Sequence, residues 1–237
     1  MSAAAVCTVT LGAAYHELAA LTHPSIRAYA ARIGADFVVI DRRAFPERVP
    51  QAYEKLQAGR LLERYDRVLC VDTDVIVRPD APSLFEVVAP DDLGVLNEMP
   101  FFPTDGRQRI GRVCHEVGMP VPDYAWHRRY YQTGVMVLSR RHAPLFLPPR
   151  TYFRDHPWEQ SWLNVLIAAR GVPVHELPWR YNRVGCMDGR VGERRTDAYI
   201  IHYAGTAPPT RYGFWRDLRP GEGLHDLIRR DLGIWGL

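Results

Sequence analysis

The chain has 237 residues, 47% hydrophobic and 24% charged. This is the balance of an ordinary globular protein, and it excludes a disordered segment, a collagen-like repeat and a coiled coil. A net charge of +3 and a pI near 8.7 admit anionic small molecules or an anionic membrane surface and give no footing for nucleic acid. Of the 30 basic residues, all but Lys55 are arginines.

Residues 5–10 read as a buried strand, 17–33 as a helix closed by Gly34, and 36–40 as a second strand. Helical periodicity spans 53–65, and 68–71 is a short, wholly apolar strand of the kind found at the centre of a parallel sheet. Strands follow at 93–96 and 134–138, a helix at 159–170, strands at 172–177 and 198–203, and an amphipathic helix at 224–232. Alternating strands and helices predict an α/β fold, an open, mainly parallel twisted sheet flanked by helices. Such sheets bind ligands beyond the carboxyl ends of their strands. The length fits a single domain over 1–237 and leaves no room for a second catalytic domain.

Cys7, Cys70, Cys114 and Cys186 are far apart and form no C-x-x-C pair, so the pattern gives no zinc cluster. Cys7 and Cys70 fall inside apolar strands and read as buried free thiols, which suits a reducing, cytoplasmic setting. Residues 1–5 lack the basic and apolar regions of a signal peptide, and no apolar run is long enough for a membrane span.

The most informative segment is 67–78, RVLCVDTDVIVR, in which an apolar strand runs into Asp72-Thr73-Asp74. Two carboxylates at i and i+2 on the edge of a central strand can share a hard divalent cation, whose open positions can neutralise a diphosphate. A D-x-D of this kind is also compatible with a plain strand-end turn whose acids are solvated. The surrounding apolar run makes unpaired charge there costly and favours the shared cation.

From this point the sequence resembles the nucleotide-sugar glycosyltransferases of the GT-A fold, most closely glycosyltransferase family 8 and its glycogenin-like members. The similarity runs in order through CTVTLGAAY (7–15), Ser25, YEKLQAGRLLERYDRVLCVDTDVIV (53–77), YQTGVMVL (131–138), EQSWLN (159–164), LPWRYN (177–182) and IHYAG (201–205). It implies a Rossmann-like nucleotide-binding half over 1–100, an acceptor-side and catalytic half over 101–215 and a helical tail over 216–237. It implies a metal-dependent transfer of one sugar from a nucleoside diphosphate-sugar, UDP favoured, to a hydroxyl acceptor such as a saccharide or lipid-linked saccharide.

The resemblance also assigns roles. Asp72, Asp74 and His202 would hold Mn²⁺ or Mg²⁺, the histidine as a neutral imidazole. Thr10, Leu11, Tyr15, Lys55, Val71, Thr73, Gln132, Thr133, Gly205 and Arg211 would bind the donor, with Tyr15 packing on the base and the backbone near Thr10 and Leu11 hydrogen-bonding it. Gln160, Glu159 and Asp155 would serve the catalytic step. The Pro-, Arg- and aromatic-rich segment 100–129 would cover the acceptor side, with Trp126, Tyr130 and Trp179 against the acceptor. Several of these have plainer readings from the residues alone: a buried satisfied histidine for His202, a solvated charge for Lys55, a first-turn acid for Glu159.

The sequence departs from the family pattern at four places. Gly12 stands for an Asn, Gln132 for an Asn, Glu159 for an Asp, and Pro208 for the Lys of the family's H-x-x-G-x-x-K ending, where Arg211 offers a substitute charge. The closest motif match is to retaining enzymes, whose sugar-face amide corresponds to Gln160, whereas an inverting enzyme needs a carboxylate base such as Glu159 or Asp155. Arg229, Arg230 and Trp235 in the tail would suit an anionic membrane surface or, more simply, a solvated helix face. The main rivals are a sugar-nucleotide binder without turnover and a haloacid dehalogenase-type phosphatase. The phosphatase needs its D-x-D on the first strand and a later Lys, and this chain has neither.

Overall fold

A computed structural model describes residues 3–102, 106–152, 158–204, 219 and 222–237. Among these, nine strands and six α-helices form in the order β1 (Ala4–Val9), α1 (Ala13–Arg32), β2 (Asp36–Ile40), α2 (Ala58–Leu61), β3 (Arg67–Val71), β4 (Val75–Val77), α3 (Leu84–Val87), β5 (Leu93–Asn97), α4 (Gly106–Val117), β6 (Tyr131–Ser139), α5 (Trp158–Ala169), β7 (Val174–Glu176), β8 (Arg183–Val184), β9 (Ile200–His202) and α6 (Leu224–Ile234).

The main sheet has six strands in the order β2-β1-β3-β6-β5-β7. β1–β2, β1–β3 and β5–β7 pair in parallel, while β6 runs antiparallel to both of its neighbours. β3 and β6 are buried along their whole length, because both faces of the sheet are covered. One face packs on α4 and α5 through Tyr130, Leu163 and Ile167, the other on α1 and α3 through Ile26, Tyr29 and Leu84. A small second sheet, β4-β9-β8, folds back over the carboxyl end of β3 and aligns Val75 with His202. That pairing carries a histidine 128 residues along the chain to the acidic pair that precedes β4.

Several predicted elements hold. Gly34, at φ 69°, takes the left-handed position after α1, where a side chain would be strained. Cys7 and Cys70 are buried free thiols in register on adjacent strands.

Three expectations need correction. The helix expected over 53–65 divides into a 3₁₀ segment, Gln51–Gln57, and the single turn of α2. The 3₁₀ segment keeps Tyr53, Glu54, Lys55 and Leu56 all buried, which a one-faced α-helix would not allow. The segment 100–129 is not only a cover: it contains α4, whose buried Gly106, Ile110, Val113 and Cys114 follow helical spacing. The tail is part of the core, since Leu227 and Ile228 of α6 pack with Ile76, Ile201 and Tyr203. No described helix is long and apolar enough to cross a membrane.

Candidate active site

Asp72 and Asp74 leave the carboxyl end of β3, and β9 brings His202 against them. One ligand atom from each of the three lies within 4.8 Å of the others. His202 Nε2 is 3.3 Å from Asp74 Oδ1 and 3.6 Å from Asp72 Oδ2. Thr73 between them faces the other way: its hydroxyl contacts those of Thr10 (3.2 Å) and Thr8 (3.4 Å), and its carbonyl accepts from Thr22 at 2.7 Å. Thr73 therefore ties the acidic loop to β1 and α1.

The histidine is oriented by a chain of amides. Gln132 Oε1 accepts the Gly134 N–H at 2.6 Å and Asn182 Nδ2 at 2.7 Å. His202 Nδ1 then lies 3.0 Å from the Asn182 oxygen and 3.3 Å from Gln132 Nε2, and the shorter contact, to an oxygen that can only accept, assigns the proton to Nδ1. Nε2 is left to face the carboxylates. Burial lowers the His202 pKa, but Asp74 and then Asp72 outweigh burial and raise it. Burial also raises Asp72 against the pull of Lys55, while His202 overcomes burial at Asp74 and lowers it. A proton and a cation thus compete for the same nitrogen. Two hard oxygens and one borderline imidazole could hold a divalent cation.

Gly134 makes the room. A Cβ on it would lie 2.0 Å from His202 Cε1 and 3.0 Å from Asp72 Oδ2. Only glycine lets β6 pass this close to the histidine and the acid.

Lys55, from the 3₁₀ segment, is buried and reaches Asp72 Oδ1 at 2.8 Å, Glu159 Oε1 at 3.0 Å and the Thr133 carbonyl at 3.3 Å. Burial pulls its pKa down, yet the two carboxylates hold it above the ordinary lysine range. Glu159 also accepts from the Thr133 hydroxyl at 3.3 Å. Gln160 is held at both ends, its oxygen accepting the Thr133 N–H (3.3 Å) and its nitrogen donating to Glu98 (3.3 Å).

These groups line one cleft of about 340 Å³, with Tyr15 and Gln51 on its other side. Asp72, Asp74, His202, Lys55, Gln132, Thr133, Glu159, Gln160 and Tyr15 all line it, together with Thr73, whose hydroxyl points to β1. Gln132 does so with its amide oxygen already engaged by protein groups.

Other expected residues lie elsewhere. Thr10 spends its N–H on Ile40 and its hydroxyl on Thr73 and His23, and the Leu11 carbonyl accepts from Gln51 at 2.8 Å. Val71 is a core side chain. Trp126 and Tyr130, expected against the acceptor, are buried core residues, with Trp126 Nε1 donating to Pro122 and the Tyr130 hydroxyl bonded to Ser161. Trp179 is half-buried under Arg180 and Arg183 and does not line the cleft. In the tail Arg229 pairs with Asp226, Arg230 with Glu222, and Trp235 donates inward to Thr196. Asp155, Gly205 and Arg211 lie outside the described residues.

Sequence reasoning gave no role to Asn182, Gly134 or Glu98. Asn182 and Gly134 stand inside quoted motif segments, and Glu98 was signalled only by an acid ending an apolar strand.

No family model and no curated protein matches the sequence. Solved structures do match the fold. The galactosyltransferase LgtC, solved with donor and acceptor sugar analogues, has a TM-score of 0.60 at 18% identity over 98% of this chain and 95% of its own. The bifunctional glycosyltransferase WbbM has the same score and identity over 86% of this chain but only 46% of its own, so the chain spans less than half of that protein. The glycosyltransferase GlyE of Streptococcus pneumoniae TIGR4 gives 0.56 at 16% identity over 100% of this chain and 61% of its own. The chain has the GT-A glycosyltransferase fold.

Proposed function

We propose that this chain is a metal-dependent glycosyltransferase, akin to family 8, that moves one sugar from a nucleoside diphosphate donor to a hydroxyl of a saccharide or lipid-linked saccharide. A UDP-sugar is the favoured donor. The observation that carries the reading is the convergence of Asp72, Asp74 and His202 in one cleft with Lys55, Thr133, Glu159 and Gln160, at the carboxyl end of the central strand of a GT-A fold. Asp72, Asp74 and His202 would hold Mn²⁺ or Mg²⁺, which when bound supplies Lewis-acid charge for a leaving diphosphate.

The protein's own groups divide the remaining work. Lys55 neutralises Asp72 and Glu159 and fixes the cleft wall, while the polar ends of Thr133, Glu159 and Gln160 match sugar hydroxyls. Tyr15, 46% exposed at the mouth, offers a ring face to a nucleobase. Glu159 is engaged by Lys55 and by the Thr133 hydroxyl, which supports a positioning role over that of a free base and so favours retention with Gln160 on the sugar face. The test is release of nucleoside diphosphate from a panel of nucleotide sugars, with Mn²⁺ and with excess chelator. Metal-dependent release from one donor, abolished in Asp74→Asn, supports the assignment; equal release under chelation contradicts it.

A further inference from the structure

Behind the cleft wall lies a buried acid that the acidic cluster does not use. Glu98 follows β5, is 8% exposed and is not among the cleft-lining residues. One of its oxygens accepts from Arg109 of α4 at 3.2 Å and the other from Gln160 Nε2 at 3.3 Å. The opposite end of the Gln160 amide accepts the Thr133 backbone N–H. A backbone N–H can only donate and a carboxylate can only accept, so the two contacts together permit one orientation of the amide. The amide itself lines the cleft and also meets the Tyr130 hydroxyl.

We infer that Glu98 is a positioning residue that acts through Gln160, fixing which face of that amide is turned to the sugar. The inference rests on reading the cleft as a sugar-transfer site. Burial pushes Glu98 up to about 7 against the pull of Arg109 and Gln160. The charged or titratable groups facing it are Arg109 from α4 and Tyr130 from the segment before β6; burial drives Tyr130 up to about 12, so it stays neutral. Protonation of Glu98 weakens it as an acceptor and places a competing O–H beside Gln160 Nε2, leaving the Thr133 N–H as the contact that still holds the amide. The amide is therefore held at both ends above neutrality and at its Thr133 end alone below it.

The experiment is NMR of the Gln160 side-chain amide, assigned with Gln160→Glu and followed from about pH 5.5 to about pH 8.5 in the wild-type chain and in Glu98→Gln. The expected result is a shift of the Gln160 signals with a midpoint near 7 in the wild type and no such transition in Glu98→Gln. Wild-type Gln160 signals that do not titrate overturn the inference even if the variant fails to fold, and an unchanged transition in a folded variant overturns it as well.

Steady-state turnover gives the second readout. Glu98→Gln should lower kcat about tenfold with donor KM unchanged, because Glu98 does not itself line the cleft and meets it only through Gln160; a raised KM at constant kcat contradicts a role exerted through Gln160. A wild-type chain without turnover counts against the proposed function alone, and the amide titration still decides the role of Glu98.

Discussion

Gly134→Ala adds one methyl group at the tightest point of the cleft. The new Cβ would stand 2.0 Å from His202 Cε1 and 2.5 Å from Nδ1, with Asp72 Oδ2 at 3.0 Å. Carbon atoms in contact prefer about 3.5–4.0 Å, so the imidazole must retreat by roughly 1.5 Å. The strand cannot yield instead: Gly134 donates to Gln132 Oε1 and accepts the Asp72 N–H at 2.9 Å in the middle of a fully buried strand. The histidine cannot move without breaking its 3.0 Å contact with Asn182. Metal ligands tolerate displacements of about 0.2 Å, so the substitution removes a ligand rather than adjusting it. Overpacking of this kind costs about 1–3 kcal/mol of stability, and disturbance of the histidine's surroundings costs about 10- to 100-fold in metal affinity. Urea denaturation and Mn²⁺ titration by calorimetry read the two effects. Wild-type stability together with wild-type Mn²⁺ affinity in Gly134→Ala would refute the geometry.

Three further outcomes follow from buried contacts. Arg195 meets Asp231 through two bonds of 2.7 Å, and the Tyr203 hydroxyl donates to the same carboxylate, so Asp231→Ala should cost about 3–5 kcal/mol and loosen α6; a urea midpoint like the wild type's contradicts this. Lys55→Met leaves Asp72 and Glu159 without their shared cation and should cost about 3 kcal/mol, read by the same denaturation. His142 accepts the Ser139 N–H at 2.9 Å, and burial, helped by Arg141 and Arg67, lowers it from 6.5 to about 4. Its folded pKa is depressed, so its contribution is full above the unfolded value and fades as pH falls toward the folded one. The loss is about 2.5 kcal/mol between roughly pH 7.5 and 4.5, and His142→Gln should lack that part of the slope.

Much of the fold was legible because β1, β3 and β6 are apolar runs bounded by turn residues, a pattern that needs no tertiary information. The 3₁₀ segment was not legible, since burial of four consecutive residues is decided by what packs around it. Helix α4 was hidden by its arginines and glycines, although Ile110, Val113 and Cys114 kept helical spacing. At the site, the acidic pair and His202 were readable from motif order. Their supporting residues were not, because Asn182 and Gly134 act through contacts across 20 and 68 residues of chain. Trp126 and Tyr130 misled for the opposite reason: an aromatic in a polar segment reads as exposed until α4 and α5 are seen to cover it. The single lysine gained meaning from the structure, as the cation joining the acidic loop to α5.

The proposed function stands on Asp72, Asp74 and His202 forming one metal site that serves a diphosphate. Calorimetric titration of Mn²⁺ in the presence of a nucleoside diphosphate, on the wild-type chain and Asp74→Asn, tests it most directly. One Mn²⁺ per wild-type chain is expected, bound more tightly with the diphosphate than without it, with both properties lost in Asp74→Asn. Equal Mn²⁺ binding by the two chains, or affinity indifferent to the diphosphate, would contradict it.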